Sequence, residues 1–224
     1  MGFSKHSLLK NKESAVKNTT KFLVLIILFL LVVSIGESFP SIQSDPPKAE
    51  LPVIISSCGQ SPGATMLKVI FMRMKLEHQP KAYEINMLAT ANDLKSAKDA
   101  GSPYKSLIIV MGASLKGMGA AGISMDDEIS RTEALILEAH NQGIKIIGAH
   151  IEGIKRRAQG ASVGDNSDEK SIDTVAPNSQ LLIIRKDGNE DGRFTVIGDE
   201  KNIPLIIVEK NLDLFQELQK IFKD

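Results

Sequence analysis

Between Leu51 and Val208 the chain alternates short apolar runs with longer stretches of helical spacing. The apolar runs are Leu51–Ser57, Ala82–Met87, Ser106–Met111, Ile144–Ala149, Gln180–Arg185 and Pro204–Val208. The third holds Leu107, Ile108, Ile109 and Val110 without interruption, the pattern of a strand buried on both faces. Ser61-Pro62 reads as an N-cap with proline at the first helical position. It opens a helix carrying Met66, Leu67, Val69, Ile70, Phe71 and Met74 that ends near His78. Thr90 is placed to cap a short helix, Ala91–Lys98. Ser124 with Asp127 forms a capping box ahead of Met125–Asn141, and Gly143 closes that helix. Three more helices are predicted: Asp168–Ala176, stopped by Pro177; a short one at Phe194–Glu200; and Leu212–Phe222, capped by Asn211.

Strand and helix in strict alternation imply a parallel sheet with helices on both faces. The expected fold is α/β, a three-layer doubly wound, mostly parallel sheet of about five or six strands, Rossmann-like or flavodoxin-like. Ligands of such folds bind outside the carboxyl ends of the strands. That rule singles out the turns that follow the strands.

Ahead of the domain lies Phe22–Ile35, almost wholly apolar, preceded by Lys5, Lys10, Lys12, Lys17 and Lys21. This is the layout of an export signal, with Ser34 and Gly36 as small residues before a cut. The run is shorter than the roughly 18–20 residues of a comfortable membrane span. Residues 1–36 are therefore expected to be a signal peptide or an uncleaved N-terminal membrane anchor. Residues 37–50, with Pro40, Pro46 and Pro47, are expected to be a linker, and 51–224 a single α/β domain. Either fate of the leader puts the domain outside the cytoplasm, soluble or tethered to the cell membrane.

The whole chain has 27 basic and 27 acidic side chains. Residues 1–36 take away five lysines and one glutamate, leaving 22 basic against 26 acidic. With no tryptophan and no basic stripe, nucleic acid is not expected as a partner. Cys58 is the only cysteine, so an exported chain would have no internal disulfide.

Four turns carry candidate chemistry. After the first strand, Ser57, Gln60 and Ser61 flank Cys58 and Gly59 and open onto a helix N-terminus, a place suited to an anion. A nucleophilic Cys58 lacks its usual companions: position 64 is Ala64, not arginine, and Ser61 stands where a second cysteine would be. After the third strand, Gly112, Gly117, Gly119 and Gly122 surround Ser114 and Lys116. Gly117, Gly119 and Gly122 fit the letters of a dinucleotide fingerprint. The predicted helix starts only after Ser124, however, and its first turn carries Asp126, Asp127 and Glu128, which would repel a pyrophosphate. A mobile loop closing over a smaller ligand is the expectation.

After the fourth strand, His150 is a candidate base or donor, and Arg156 or Arg157 could fork an anion. After the fifth, Asp187, Asn189, Asp191 and Gly192 match the opening of a calcium loop. The twelfth position is Gly198 rather than glutamate. The alternatives are direct contact of Asp187 and Asn189 with a polar ligand, or capping of the next helix by Asn189 and Asp191.

Three segments, Gly117–Gly122, Gly148–Gly153 with Arg156 and Arg157, and Asp187–Gly192, together resemble an uncharacterised bacterial family of exported proteins, domain of unknown function 6305. The resemblance spans about Pro52 to Phe222 and implies domain limits and a bacterial origin. It implies no activity and no catalytic residue.

The leading expectation is an extracytoplasmic domain that binds a small polar or anionic molecule at the carboxyl edge. Its ligand set would be Ser57, Gln60, Ser61, Ser114, Lys116, His150, Arg156, Asp187 and Asn189. No cofactor is required; calcium on Asp187, Asn189 and Asp191 is an option. The alternative is a hydrolase or transferase using His150 with Asp187 or Asp191, with or without calcium. No Gly-x-Ser-x-Gly elbow and no zinc spacing supports it. A third reading is an interaction module with a membrane partner.

Overall fold

The computed structural model describes residues 48–158 and 165–223. The predicted leader and most of the predicted linker lie outside the described residues. Among the described residues no helix is long and apolar enough to cross a membrane.

Six parallel strands form one sheet: β1 (Val53–Cys58), β2 (Tyr83–Ile85), β3 (Ser106–Met111), β4 (Lys145–His150), β5 (Leu181–Arg185) and β6 (Leu205–Val208). Their order is β2-β1-β3-β4-β5-β6. The order reverses at β1, so the turns after β1 and β3 flank the switch point, where doubly wound folds form their crevice. Among the described residues seven α-helices accompany the strands: α1 (Gly63–Met74), α2 (Ala91–Asp99), α3 (Leu115–Ala121), α4 (Met125–Gln142), α5 (Ser167–Val175), α6 (Arg193–Lys201) and α7 (Asp213–Phe222).

The alternation of side chains along each strand builds two cores. Ile54, Cys58, Leu107, Ile109 and Met111 face α2, α4, α5 and α6 through Leu94, Leu135, Ile172 and Phe194. Val53, Ile55, Ile108 and Val110 face α1 and α7 through Leu67, Phe71, Leu218 and Phe222. Each fully buried aliphatic or phenyl side chain contributes roughly 1.5–3 kcal/mol of transfer free energy. Phe71 also meets Tyr83 and Phe222, with ring centroids 5.5 and 5.6 Å apart.

Several local expectations hold. Thr90 accepts the Asp93 N–H and Ser124 accepts the Asp127 N–H, each in a complete capping box. Gly143 ends α4 in a left-handed conformation. The second strand shrinks to three residues, and the described part of the predicted linker packs against the domain: Ala49 is buried and donates to Ile221 O at 3.1 Å.

Three expectations fail. The glycine-rich stretch is not a loop: Leu115–Ala121 is α3, capped by Ser114, whose hydroxyl accepts the Gly117 N–H at 3.0 Å. Gly117 is glycine because a Cβ there would lie 2.3 Å from Gln60 O. Asn211 does not cap α7. The helix starts at Asp213, whose carboxylate reaches back to the Lys210 N–H at 2.9 Å. Ser61 does not cap α1; Pro62 holds that position, and the helix end is satisfied from elsewhere in the chain.

Candidate functional site

A parallel sheet delivers every strand's carboxyl end to one edge, so the turns after β1, β3, β4 and β5 share a rim. At the switch point, the first two turns are tied to each other through the backbone. Gln60 and Ala113 form an antiparallel bridge, and Ser114 N donates to Gly59 O at 2.7 Å. A side chain on Gly59, which has φ +103°, would strike Gly112 O at 2.5 Å, so only glycine allows this closeness.

The amide groups of these turns are taken by the protein's own acids and hydroxyl. Glu128, fully buried, accepts from Gly59 N at 2.8 Å and from Gln60 Nε2 at 2.8 Å. Its second oxygen pairs with Arg131 Nε at 2.9 Å. Arg131 in turn donates to the Ala89 and Ser57 carbonyls. Glu152 accepts from Gly63 N, the first residue of α1, at 2.9 Å. Asp168 accepts from Ala113 N at 2.6 Å, and Ser171 Oγ from Gly112 N at 3.0 Å. The helix dipole and open amides that would draw an anion are met by internal carboxylates. Partial burial of Asp168 raises its pKa from the ordinary aspartate value.

The candidate residues divide into two groups. Ser57, Gln60, Ser61, Ser114 and Arg156 gather around the switch point. Gln60 is held at φ 56° by its bonds to Glu128 and to Met87 O. Arg156 lies across the β3 turn, donating to Glu152 Oε2 at 3.1 Å and Ala113 O at 2.7 Å. Ser57 and Ser61 are fully buried, and among the described residues neither hydroxyl has a hydrogen-bond partner. Lys116 stands exposed on α3.

The second group surrounds the end of β5. His150 is fully buried, with Nε2 3.2 Å from Gly153 O and Nδ1 without a hydrogen-bond partner among the described residues. Its ring lies 5.0 Å from that of Phe194. Burial, seconded by the charge of Arg157, pushes its pKa down to about 4. Asp187 pairs with Arg185 at 2.6 Å. Asn189 accepts from Phe194 N at 2.8 Å and donates to Thr195 Oγ1 at 2.9 Å. Asp191 pairs with Arg157 at 2.6 Å, and this bond holds its pKa down to about 2. Asp191 also accepts from Arg193 N at 3.2 Å, so the capping reading of Asn189 and Asp191 is realised. Neither aspartate bonds to His150, and among the described residues no three acidic, His or Cys side chains converge as a metal site.

Arg157, expected at most to fork a ligand, is a buried structural hub. It pairs with Glu169 at 2.9 Å and with Asp191, and donates to Gly188 O. Cys58 is buried in the core and its thiol pKa is raised by burial, both of which disfavour the thiolate that a nucleophile needs. The residues that sequence reasoning overlooked are Glu128, Glu152, Asp168 and Ser171. Glu128 did carry a signal: it lies on the same helical face as Thr132, Leu135 and Ala139, which are all buried.

Fold and rim together define a doubly wound α/β fold of flavodoxin-like strand order, with a carboxyl edge capped by its own side chains. The chain belongs to the family described as Domain of unknown function (DUF6305), whose model matches residues 50–222. No curated protein matches the chain.

Proposed function

We propose that this is an extracytoplasmic binding domain that takes a small polar molecule at the β1/β3 switch point. The observation that carries the reading is the pair of fully buried hydroxyls of Ser57 and Ser61 beside that switch point, neither with a hydrogen-bond partner among the described residues. A buried hydroxyl without a partner costs about 1–3 kcal/mol, so a ligand that bonds to both recovers this free energy. Gln60 supports the reading, because a non-glycine residue at positive φ costs about 1 kcal/mol or more and such strain gathers at ligand sites. The extracytoplasmic placement rests on Phe22–Ile35 and the lysines ahead of it.

The test is calorimetry and thermal melting of the full chain against pools of small polar metabolites. A stabilising pool is expected, and Ser57→Ala with Ser61→Ala should abolish its effect while leaving the circular dichroism spectrum unchanged. A ligand whose effect survives both substitutions would refute this site. Protease treatment of intact cells tests placement: the domain should be cut from outside, or be recovered outside the membrane.

A further inference from the structure

The N-terminus of α1 is occupied from within. Glu152 Oε1 sits 2.9 Å from Gly63 N, and its other oxygen is held by Arg156. Gly63 makes this approach possible: a Cβ there would lie 3.0 Å from Glu152 Oε1 and 2.7 Å from Val110 Cγ1. α1 is 12 residues long, so its dipole is fully developed at this end. The Glu152 carboxylate thus marks a position that attracts an anion.

A second observation is independent of the helix. Ser61, two residues ahead of Gly63, is fully buried and its hydroxyl has no partner among the described residues. Ser57, at the end of β1, is in the same state. Glu152 therefore satisfies the amide and leaves two buried donors unused. A group that replaced Glu152 and also bonded to these hydroxyls would be held better than Glu152 is. Glu152 has somewhere to go, because Arg156 is its partner four residues along the same turn.

We propose that the N-terminus of α1 is a carboxylate-binding site plugged by Glu152, and that the ligand is a small molecule whose carboxylate displaces Glu152 onto Arg156 and bonds to Gly63 N, Ser61 and Ser57. The position already accommodates a carboxylate, and that is the first reason for the assignment. The second is charge. Glu128 and Asp168 cap neighbouring amides, and a phosphate dianion would face their repulsion at twice the charge of a carboxylate. The proposal rests on the binding reading above and names the end group that the ligand must carry.

Glu152→Ala in the full chain empties the position, and acetate serves as the probe. Acetate should raise the melting temperature of E152A saturably and shift the Gly63 amide resonance, relative to chloride at equal ionic strength. The wild-type chain should need at least about tenfold more acetate, since it must first displace Glu152. Adding Ser61→Ala to E152A should weaken acetate about tenfold, the worth of one hydrogen bond to a charged group. Should E152A fail to fold, Glu152→Gln keeps an oxygen on Gly63 N, removes the charge, and should still yield to acetate.

A folded variant whose Gly63 amide ignores acetate overturns the proposal. Tighter binding of inorganic phosphate than of acetate overturns the carboxylate assignment. A wild-type ligand that leaves the Gly63 amide unmoved refutes this site but not the binding reading. Acetate filling E152A when no metabolite binds the wild type refutes the binding reading but not this site.

Discussion

Glu128 and Gly59, 69 positions apart, are joined by a 2.8 Å hydrogen bond from the Gly59 N–H to a carboxylate with no solvent exposure. The same carboxylate holds Gln60 and Arg131, so one side chain from α4 fixes the turn after β1. Glu128→Ala would strand the Arg131 charge, the Gly59 amide and the Gln60 amide together. Removing one partner of a buried pair costs about 3–5 kcal/mol. Urea denaturation should show a loss of that order for Glu128→Ala and a smaller one for Glu128→Gln, which keeps an acceptor. A loss below about 1 kcal/mol for the alanine variant would mean that Glu128 does not hold the turn.

His150 makes stability depend on pH with a defined sign. Unfolded, its imidazole takes a proton near 6.5; folded, only near 4. Above the higher value both states are neutral and stability does not respond. Between the two, the unfolded chain binds more protons, so stability falls as pH falls, by up to about 3 kcal/mol. Stability measured across that window should lose part of its slope in His150→Gln. An unchanged slope would place the titration elsewhere.

Cys58 should resist thiol reagents in the native chain. Burial both blocks access and raises its pKa. Labelling by a disulfide reagent should track unfolding in denaturant, and fast labelling of the folded chain would contradict the packing.

Gly117→Ala tests the close seat of α3 on the switch point. The new methyl would meet the Gln60 carbonyl, a backbone atom with little room to move. Overpacking of this kind costs about 1–3 kcal/mol. Gly119→Ala is the control, because its Cβ would meet nothing within 4 Å. In a helix that alanine should be neutral or stabilising by up to about 1 kcal/mol. Thermal melting of the two variants should separate them, and equal melting points would refute the contact.

Much of the architecture was readable from local pattern. Ser106–Met111 is a strand buried on both faces, as its unbroken apolar run requires, and the boxes at Thr90 and Ser124 start their helices because each needs only residues three apart. The glycine-rich segment misled because glycine signals freedom locally. Here Gly117 answers a distant carbonyl, while Ser114 and Gly122 cap a short helix around it. The acidic start of α4 misled in another way: Glu128 reads as one of three carboxylates that would repel a pyrophosphate, yet it faces inward onto a turn far away in the chain.

Periodicity, caps and alternation by themselves determined the layers, the parallel sheet and the edge where its turns emerge, because these depend on neighbours within a few residues. Only the tertiary structure decided which amides at that edge are closed and which hydroxyls are left unpaired. Glu128, Glu152, Asp168 and Ser171 reach those turns from other elements across the chain, and no local spacing records such a contact.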